Sequence, residues 1–321
     1  MHRIHPLRRG GVKAFITALF LLTTPLPAGE FPWSGAVPAD IAATALHPDQ
    51  VVDELPCNWR PVVKPIFAPL VQHCETAREA ILHIAANIGA TTGVYYTPQR
   101  RKHNMNALEA LTEKKVSCTG QSVLLVCALR SVDIPARAVG VVTWNHVRGN
   151  HTWVEAWCDG EWHMIEFNEK DFNTPWVMEN IGMLNTAHPA QRIKAANPQG
   201  SQWWIPLPFT ELPNFKADDV TERYMTLARL WYEKNGLDAD RQRLLVDVQK
   251  RRDSAPELQL VSRDGTVISS GKLPTISDDI RYFTRLELPR KGEYYLRLKG
   301  QQELLPVSAT TAPVQIISLN Y

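Results

Sequence analysis

One pair of predicted strands, residues 151–168, constrains the fold of this chain more than any other feature of its sequence. In HTWVEAWCD, residues 151–159, the side chains alternate between two faces, and the odd-numbered face carries both tryptophans. Asp159-Gly160 favours a tight hairpin turn, and EWHMIEFN, residues 161–168, returns as the second strand. A two-stranded hairpin is not stable alone, so we expect further strands and a packed layer around it.

The segment before the hairpin supplies those partners. A dense apolar stretch predicts a buried helix from about Thr119 to Ser131. IPARAVGVVTW, residues 134–144, predicts a strand that follows the helix directly. A helix followed by three closely connected strands favours the α+β class with an antiparallel sheet.

The rest of the chain divides into regions of different pattern. Residues 31–90 predict a helical region that precedes the core, which we place at residues 91–216. A connecting helix is predicted within residues 217–239. Residues 240–321 contain short alternating segments separated by Asp-Gly and Lys-Gly turns, which predicts a small, sandwich-like all-β domain.

Residues 1–28 have the pattern of a secretory signal peptide. Basic residues without an acidic one precede the apolar residues 14–22, and the small residue Ala28 lies at the predicted cleavage point. The apolar part is too short to span a bilayer, and no later stretch approaches that length. We therefore expect a secreted or periplasmic protein without a stable membrane span.

The charge of the chain argues against a nucleic-acid partner. The formal net charge is +2 at pH 7, and removal of the predicted signal peptide would lower it to about −2. No strongly basic surface would then remain to attract a polyanion.

Five cysteines are an odd number for an exported chain. In an oxidising compartment at least one of them must stay unpaired or pair between chains. Cys57 and Cys74 lie in one N-terminal region and are candidates for a disulfide. Cys127 lies within the predicted helix and Cys158 at a predicted strand end, so their pairing is open.

Cys118 lies where the apolar helix should begin. Only the thiolate form of cysteine is a strong nucleophile, and the free N–H groups of a helix N-terminus favour a negative charge. Gly120 permits close backbone approach, and nearby N–H groups can form an oxyanion hole. His151, at the start of a strand after a Gly-Asn turn, is the best candidate for the base.

A third group should orient the imidazole. On the returning strand, Glu166 and Asn168 share the parity that brings them near His151, whereas Glu169 has the opposite parity. Glu155, on the same face as His151, is either another partner or a surface acid.

Plain structural roles compete with each of these assignments. A thiol at a helix start is often only a small buried residue, and Lys114 and Lys115 can be a solvated charge run rather than activators of the thiol. The tryptophans fit a core better than a substrate platform. A metal site of Cys118, His151 and His163 matches no common ligand spacing, so we predict neither metal nor cofactor.

KKVSCTGQSVLLVCALRSVDIPARAVGVVTW, followed by GNHTWVEAWCDGEWHMIEFN, resembles the catalytic core of the transglutaminase-like superfamily. The pattern of that family has a Cys heading a helix, a GIPAR-V-G strand, a His-x-Trp-Val-Glu strand and an acid beyond a following Trp. The resemblance covers about residues 75–180, and more weakly 31–215. It looks closest to bacterial exported members.

The resemblance implies a papain-like arrangement, with Cys118 as nucleophile, His151 as base and an acid or amide as orienting group. The family acid is usually an Asp before a Pro, four residues after the Trp. Here Glu166 holds that position and Phe167 follows it. In the exported subgroup a Glu lies further along, at a position that Glu169 matches. We take Glu166 as the predicted third member.

Members of this family cross-link proteins, hydrolyse peptide or amide bonds, or have lost activity. The resemblance therefore implies a cysteine-dependent peptidase, amidase or acyltransferase that acts on a protein or peptide substrate. We favour hydrolysis, because water is always present and no lysine-donor site is recognisable. The alternative is a weak or inactive binding module at the cell surface, whose C-terminal β domain would bind protein or glycan.

Overall fold

A computed structural model describes residues 30–145, 149–203, 215–237, 240–278 and 282–320. The predicted signal peptide, residues 1–28, lies outside the described residues. Within the described part of the chain, no helix combines the length and the apolar character needed to cross a bilayer.

The helices lie mostly in the first two thirds of the chain. In order, the α-helices are α1 (Ala39–Ala45), α2 (Arg60–Phe67), α3 (Ala77–Thr92), α4 (Ala107–Glu113), α5 (Cys118–Arg130), α6 (Pro175–Ile181) and α7 (Thr221–Lys234). Short 3-10 helices are Ser34–Ala36, Ala68–Val71 and Pro189–Gln191.

The strands form one sheet in the centre and two near the C-terminus, besides a two-stranded pair. The strands are β1 (Tyr95–Tyr96), β2 (Lys115–Val116), β3 (Ala136–Val141), β4 (His151–Cys158), β5 (Glu161–Ile165), β6 (Lys194–Ala196), β7 (Gln202–Trp203), β8 (Lys216–Asp219), β9 (Arg241–Val248), β10 (Glu257–Ser262), β11 (Val267–Lys272), β12 (Thr284–Pro289), β13 (Tyr294–Leu298), β14 (Leu305–Val307) and β15 (Val314–Leu319).

The central sheet has the strand order β5-β4-β3-β6-β8-β7, and its neighbouring strands are antiparallel. The predicted hairpin forms its β4–β5 edge, with Trp157 opposite Trp162. Together with the helices, this sheet confirms the predicted α+β class with an antiparallel sheet. The sequence pattern did not predict β6 and β7, which lie in a stretch rich in Pro and Asn.

The middle of the central sheet is buried on both faces, and the side chains of β4 alternate between two cores. Val154 and Ala156 join a core built with helices α2 to α5. Trp153, on the other face, joins a core with residues of α6 and α7, and its indole Nε1 donates to the hydroxyl of Tyr224 at 2.6 Å. The register of β4 is therefore fixed from both sides, since a shift by one residue would exchange the two faces.

Glu155 lies on the tryptophan face of β4 and is completely buried, so it is not a surface acid. Its carboxylate accepts from Arg137 Nε at 2.8 Å and is also paired with Arg223. Because two guanidinium groups hold this carboxylate, its role here is that of an internal ion pair rather than a partner of His151.

The strands after residue 240 form two sheets, of order β11-β10-β13-β14 and β12-β9-β15. Buried leucines from both sheets, including Leu244, Leu260 and Leu286, form a shared core. The β9–β15 pair is parallel, whereas the other pairs within these two sheets are antiparallel. The two sheets therefore pack face to face around a leucine core.

None of the five cysteines forms a disulfide in the structure, and all five lie within the described residues. The candidate pair of Cys57 and Cys74 is therefore not made. Cys57 instead packs at the start of α4, where its thiol is hydrogen-bonded with the backbone of Ala107 and Leu108.

A buried ion cluster joins α6 to the C-terminal strands. The carboxylate of Glu179, on α6, is fully buried. Arg285 Nε, from β12, donates to it at 3.0 Å, and Arg243 Nε, from β9, lies 3.1 Å from its other oxygen. The position of α6 is thus fixed by the sheet that contains β9 and β12.

Replacement of Glu179 should destabilise the protein strongly. We expect Glu179→Ala to lower the free energy of unfolding by about 3 kcal/mol, because two arginines would lose a buried counterion. Glu287→Ala is the control. Glu287 is paired with Arg241 and Arg243 in a more exposed position, so its loss should cost less than about 1 kcal/mol. Urea denaturation followed by circular dichroism measures the free energy of unfolding of both variants. Equal losses of stability in Glu179→Ala and Glu287→Ala would contradict a stabilising role for the buried ion cluster.

Candidate active site

The N-terminus of α5 presents Cys118 as its first residue. Ser117 is the N-cap, and its hydroxyl accepts from the Gly120 N–H at 2.9 Å. The same hydroxyl donates to the carbonyl of His103 at 2.5 Å. A Cβ at Gly120 would lie only 3.0 Å from the Cβ of Val116. This close approach explains why position 120 is a glycine. The cap therefore holds the thiol at the positive end of a thirteen-residue helix.

A pair of threonines brings the start of α5 against the start of β4. The hydroxyls of Thr119 and Thr152 lie 3.0 Å apart, and the Ser122 hydroxyl donates to the carbonyl of Thr152 at 3.0 Å. Thr119 follows Cys118, and Thr152 follows His151. The structure thus places the two residues predicted as nucleophile and base on adjoining element ends.

His151 and Glu166 are in direct contact. Nε2 of the imidazole lies 2.5 Å from Oε1 of the carboxylate, and both side chains are buried, with His151 4% and Glu166 9% exposed. Glu166 Oε2 is also buried and has no hydrogen-bond partner within the described part of the chain. The contact therefore fixes the orientation of the imidazole ring against the Glu166 carboxyl group.

Three tryptophans enclose the His151 ring. The ring centroids of Trp153 and Trp144 lie 5.8 Å and 6.4 Å away, stacked, and Trp176 meets it edge-on at 4.5 Å. Burial among apolar rings limits the water around the His151–Glu166 pair, so the charge interaction between them is screened less than it would be at the surface.

Trp176 is a neighbour of His151 that the sequence pattern did not predict. It lies on α6, which begins with Pro175 at a position where proline favours a helix start. Its helix is fixed through Glu179, as described above. The Thr-Pro step at residues 174–175 was the available signal, because proline at the first turn marks a helix N-terminus.

The structure gives the two other candidates for the third group different contacts. Asn168 accepts from the Gly89 N–H through its side chain at 3.0 Å, and its own N–H donates to the carbonyl of Ala85 at 2.9 Å. It is therefore anchored to α3. Glu169 is half-buried, and burial, followed by repulsion from Glu166, raises the pKa of its carboxyl.

Other residues weighed from the sequence have separate roles. The ammonium of Lys114 donates to the carbonyl of Thr92, the last residue of α3, at 2.7 Å, where it caps that helix end. Lys115 is exposed on β2. His163 stacks on Phe172 with centroids 4.7 Å apart, near the turn end of the β4–β5 hairpin rather than beside His151.

Burial makes the other four thiols poor nucleophiles. It raises the pKa of Cys57 and Cys74, raises that of Cys127 well above its ordinary value, and raises that of Cys158 to about 12. None of these four opens a helix. Cys118 is itself buried, with 9% of its surface exposed, so it is set apart from the other four by its place at a capped helix N-terminus.

Residues 64–167 match the family model of the Transglutaminase-like superfamily. The matched segment includes α5, β3, β4 and β5, and with them the capped thiol and the His151–Glu166 pair. This stretch of the chain is therefore similar in sequence to the core of that superfamily. A search of curated proteins found no match.

Two solved structures are similar to the chain. A protein from Cytophaga hutchinsonii described as a candidate cysteine protease is 16% identical with a TM-score of 0.30, and the alignment covers 50% of this chain and 57% of that protein. Red sea bream transglutaminase is 12% identical with a TM-score of 0.40, covering 87% of this chain and 66% of that one. These likenesses carry no argument about this chain, and the similarity that remains is the family match of residues 64–167.

Alkylation should distinguish Cys118 from the other thiols. We expect limiting iodoacetamide at neutral pH to modify Cys118 first, because burial raises the pKa of the other four thiols. Peptide mass spectrometry after a short exposure identifies the modified cysteine. Cys118→Ser is the control, and this variant should lose the rapid alkylation. Faster labelling of Cys57, which is the most exposed of the other four, would contradict this account.

Glu166→Gln should slow alkylation of Cys118 at neutral pH and move its pH profile upward. The amide keeps the shape of the side chain but removes the charge that stabilises an imidazolium, and hence the thiolate paired with it. The matched control is Asn168→Ala, which removes an anchor to α3 and should leave the profile in place. Rates of Cys118 alkylation by iodoacetamide between about pH 5 and 9 give the profile of each variant. An unchanged profile in Glu166→Gln would be evidence that Glu166 does not influence the thiol through His151.

Proposed function

We propose that this protein is a cysteine-dependent enzyme that cleaves peptide or carboxamide bonds through an acyl-enzyme. The observation that carries the proposal is the 2.5 Å contact between His151 Nε2 and Glu166 Oε1, at the strand end adjoining a helix that begins with Cys118. A nucleophile, a base and an orienting acid are the parts that this chemistry needs.

In the first step, His151 takes the proton of the Cys118 thiol. Because Nε2 faces Glu166, the nitrogen that receives the proton in this proposal is Nδ1. The imidazolium that forms is stabilised by the Glu166 carboxylate, whose second oxygen has no competing hydrogen-bond partner among the described residues. Glu166 thereby fixes both the orientation and the tautomer of the ring.

In the second step, the thiolate attacks the substrate carbonyl carbon, and the developing oxyanion lies near the N-terminus of α5. Backbone N–H groups and the helix dipole there favour the negative charge. His151 then donates its proton to the leaving amine, and a thioester to Cys118 remains. Water activated by the same imidazole hydrolyses the thioester and restores the thiol.

We favour hydrolysis over transfer to a second amine. Water is present at any exposed site, and the sequence offers no recognisable lysine-donor site. The substrate class that fits this chemistry is a protein or peptide. The pattern of residues 1–28 supports action outside the cytoplasm, in the periplasm or the medium.

Acyl-enzyme trapping tests the proposal. A panel of activated peptide and amide probes should leave an acyl adduct on Cys118, found by peptide mass spectrometry. Cys118→Ala should lower turnover of any responding substrate by a factor of about 10³ or more. Wild-type protein that forms no adduct with any probe, while it binds the same peptides, would favour the non-catalytic binding module instead.

Hydrolysis and transfer are separated by one further comparison. We expect product release at the same rate with and without an added primary amine, because water resolves the thioester. Product that forms only when the amine is present would show that the enzyme is an acyltransferase.

A further inference from the structure

The turn end of the β4–β5 hairpin carries a second group of chemically active side chains. Ligand atoms of Cys158, Asp159 and His163 all lie within 4.8 Å of one another. Because Ala156 is opposite His163 and Cys158 is opposite Glu161, the cysteine and the histidine share one face of the hairpin. This group is separate from His151 and Glu166, which lie at the other end of the same strands.

We propose that Cys158, Asp159 and His163 form a binding site for a borderline-soft divalent cation of the Zn²⁺ type. A thiolate, an imidazole and a carboxylate are a ligand set that Zn²⁺ accepts. Glu161 offers a fourth donor, since its Oε1 lies 3.6 Å from His163 Nε2.

The imidazole of His163 is prepared for this role. The ring is hydrogen-bonded with the backbone of Cys158 and stacked on Phe172. Such outer contacts fix a metal-binding imidazole in place.

Arg78, from the first turn of α3, takes the place of the cation in the structure. Its Nε donates to Asp159 Oδ2 at 2.7 Å, and its Nη2 lies 3.3 Å from His163 Nε2. The Arg78 side chain is 43% exposed, so its guanidinium can turn into solvent when a metal ion enters. The ion then binds the Cys158 sulfur, and the thiol proton leaves to solvent.

A cleft gives the site access from outside. A cavity of about 300 Å³ is lined by Trp33, Thr76 and Trp157 together with Cys158 and Asp159. Two of the three proposed ligand residues, Cys158 and Asp159, therefore border a space that a hydrated ion can enter. A bound metal would clamp β4 to β5 at the end opposite His151.

Cobalt titration tests this site without any assay of activity. Co²⁺ added to the complete chain should bind one equivalent and give a thiolate-to-cobalt charge-transfer band. The band should vanish in Cys158→Ser and in His163→Ala, and should persist in the thiol controls Cys118→Ala and Cys74→Ser. Arg78→Ala should bind Co²⁺ about tenfold more tightly, because a competing positive charge is removed.

Asp159→Asn is the variant least able to disturb folding. Asp159 lies at φ +56° in the turn, a conformation that asparagine adopts readily. The Asp159→Asn substitution should weaken Co²⁺ binding while leaving the circular dichroism spectrum of the protein unchanged. Absence of the band in wild-type protein, its persistence in Cys158→Ser, or its loss in Cys118→Ala would each overturn the proposal.

Discussion

The register between β4 and β5 is the constraint on which the candidate site depends. Val154 lies opposite Ile165, so Glu166 follows directly after the paired residues and falls on the same face as His151. Two cores hold β4 from its two faces, through Val154 on one and Trp153 on the other. A one-residue slip would bury the wrong side chains and also separate the imidazole from its carboxylate.

The end of β5 decides which polar side chain reaches His151. If the strand continued in the same register, Asn168 would lie opposite His151. It does not continue, because β5 ends at Ile165 and the backbone turns at Asn168 with φ +67°. Asn168 is then held by the backbone of α3 instead. The gap left at the strand end is filled by the longer side chain of Glu166.

Local pattern was enough to predict the elements that carry the site. The helix predicted from about Thr119 to Ser131 is α5, Cys118–Arg130, and the alternating segments became β4 and β5. On the returning strand, the partner of His151 could only be narrowed to Glu166, Asn168 and Glu169, because parity does not reveal where a strand stops. Trp176 was missed, since it meets His151 across the fold from a short helix.

Pairings between distant parts of the chain were the least predictable. Glu155 had the right parity for a site residue, yet it meets Arg223 on α7. The Cys57–Cys74 pair was plausible from proximity in sequence, but α4 packs against Cys57. Strands β6 and β7 contain three and two residues, too few for an alternation to be recognised.

The central claim is that Cys118, His151 and Glu166 act as one unit, and a double-mutant cycle on thiol reactivity tests it most directly. Iodoacetamide rates at Cys118 would be compared in His151→Ala, Glu166→Gln and the double variant. If Glu166 acts through the imidazole, the double variant should be no slower than His151→Ala alone. Losses that multiply would show that the two residues act independently and would contradict the account.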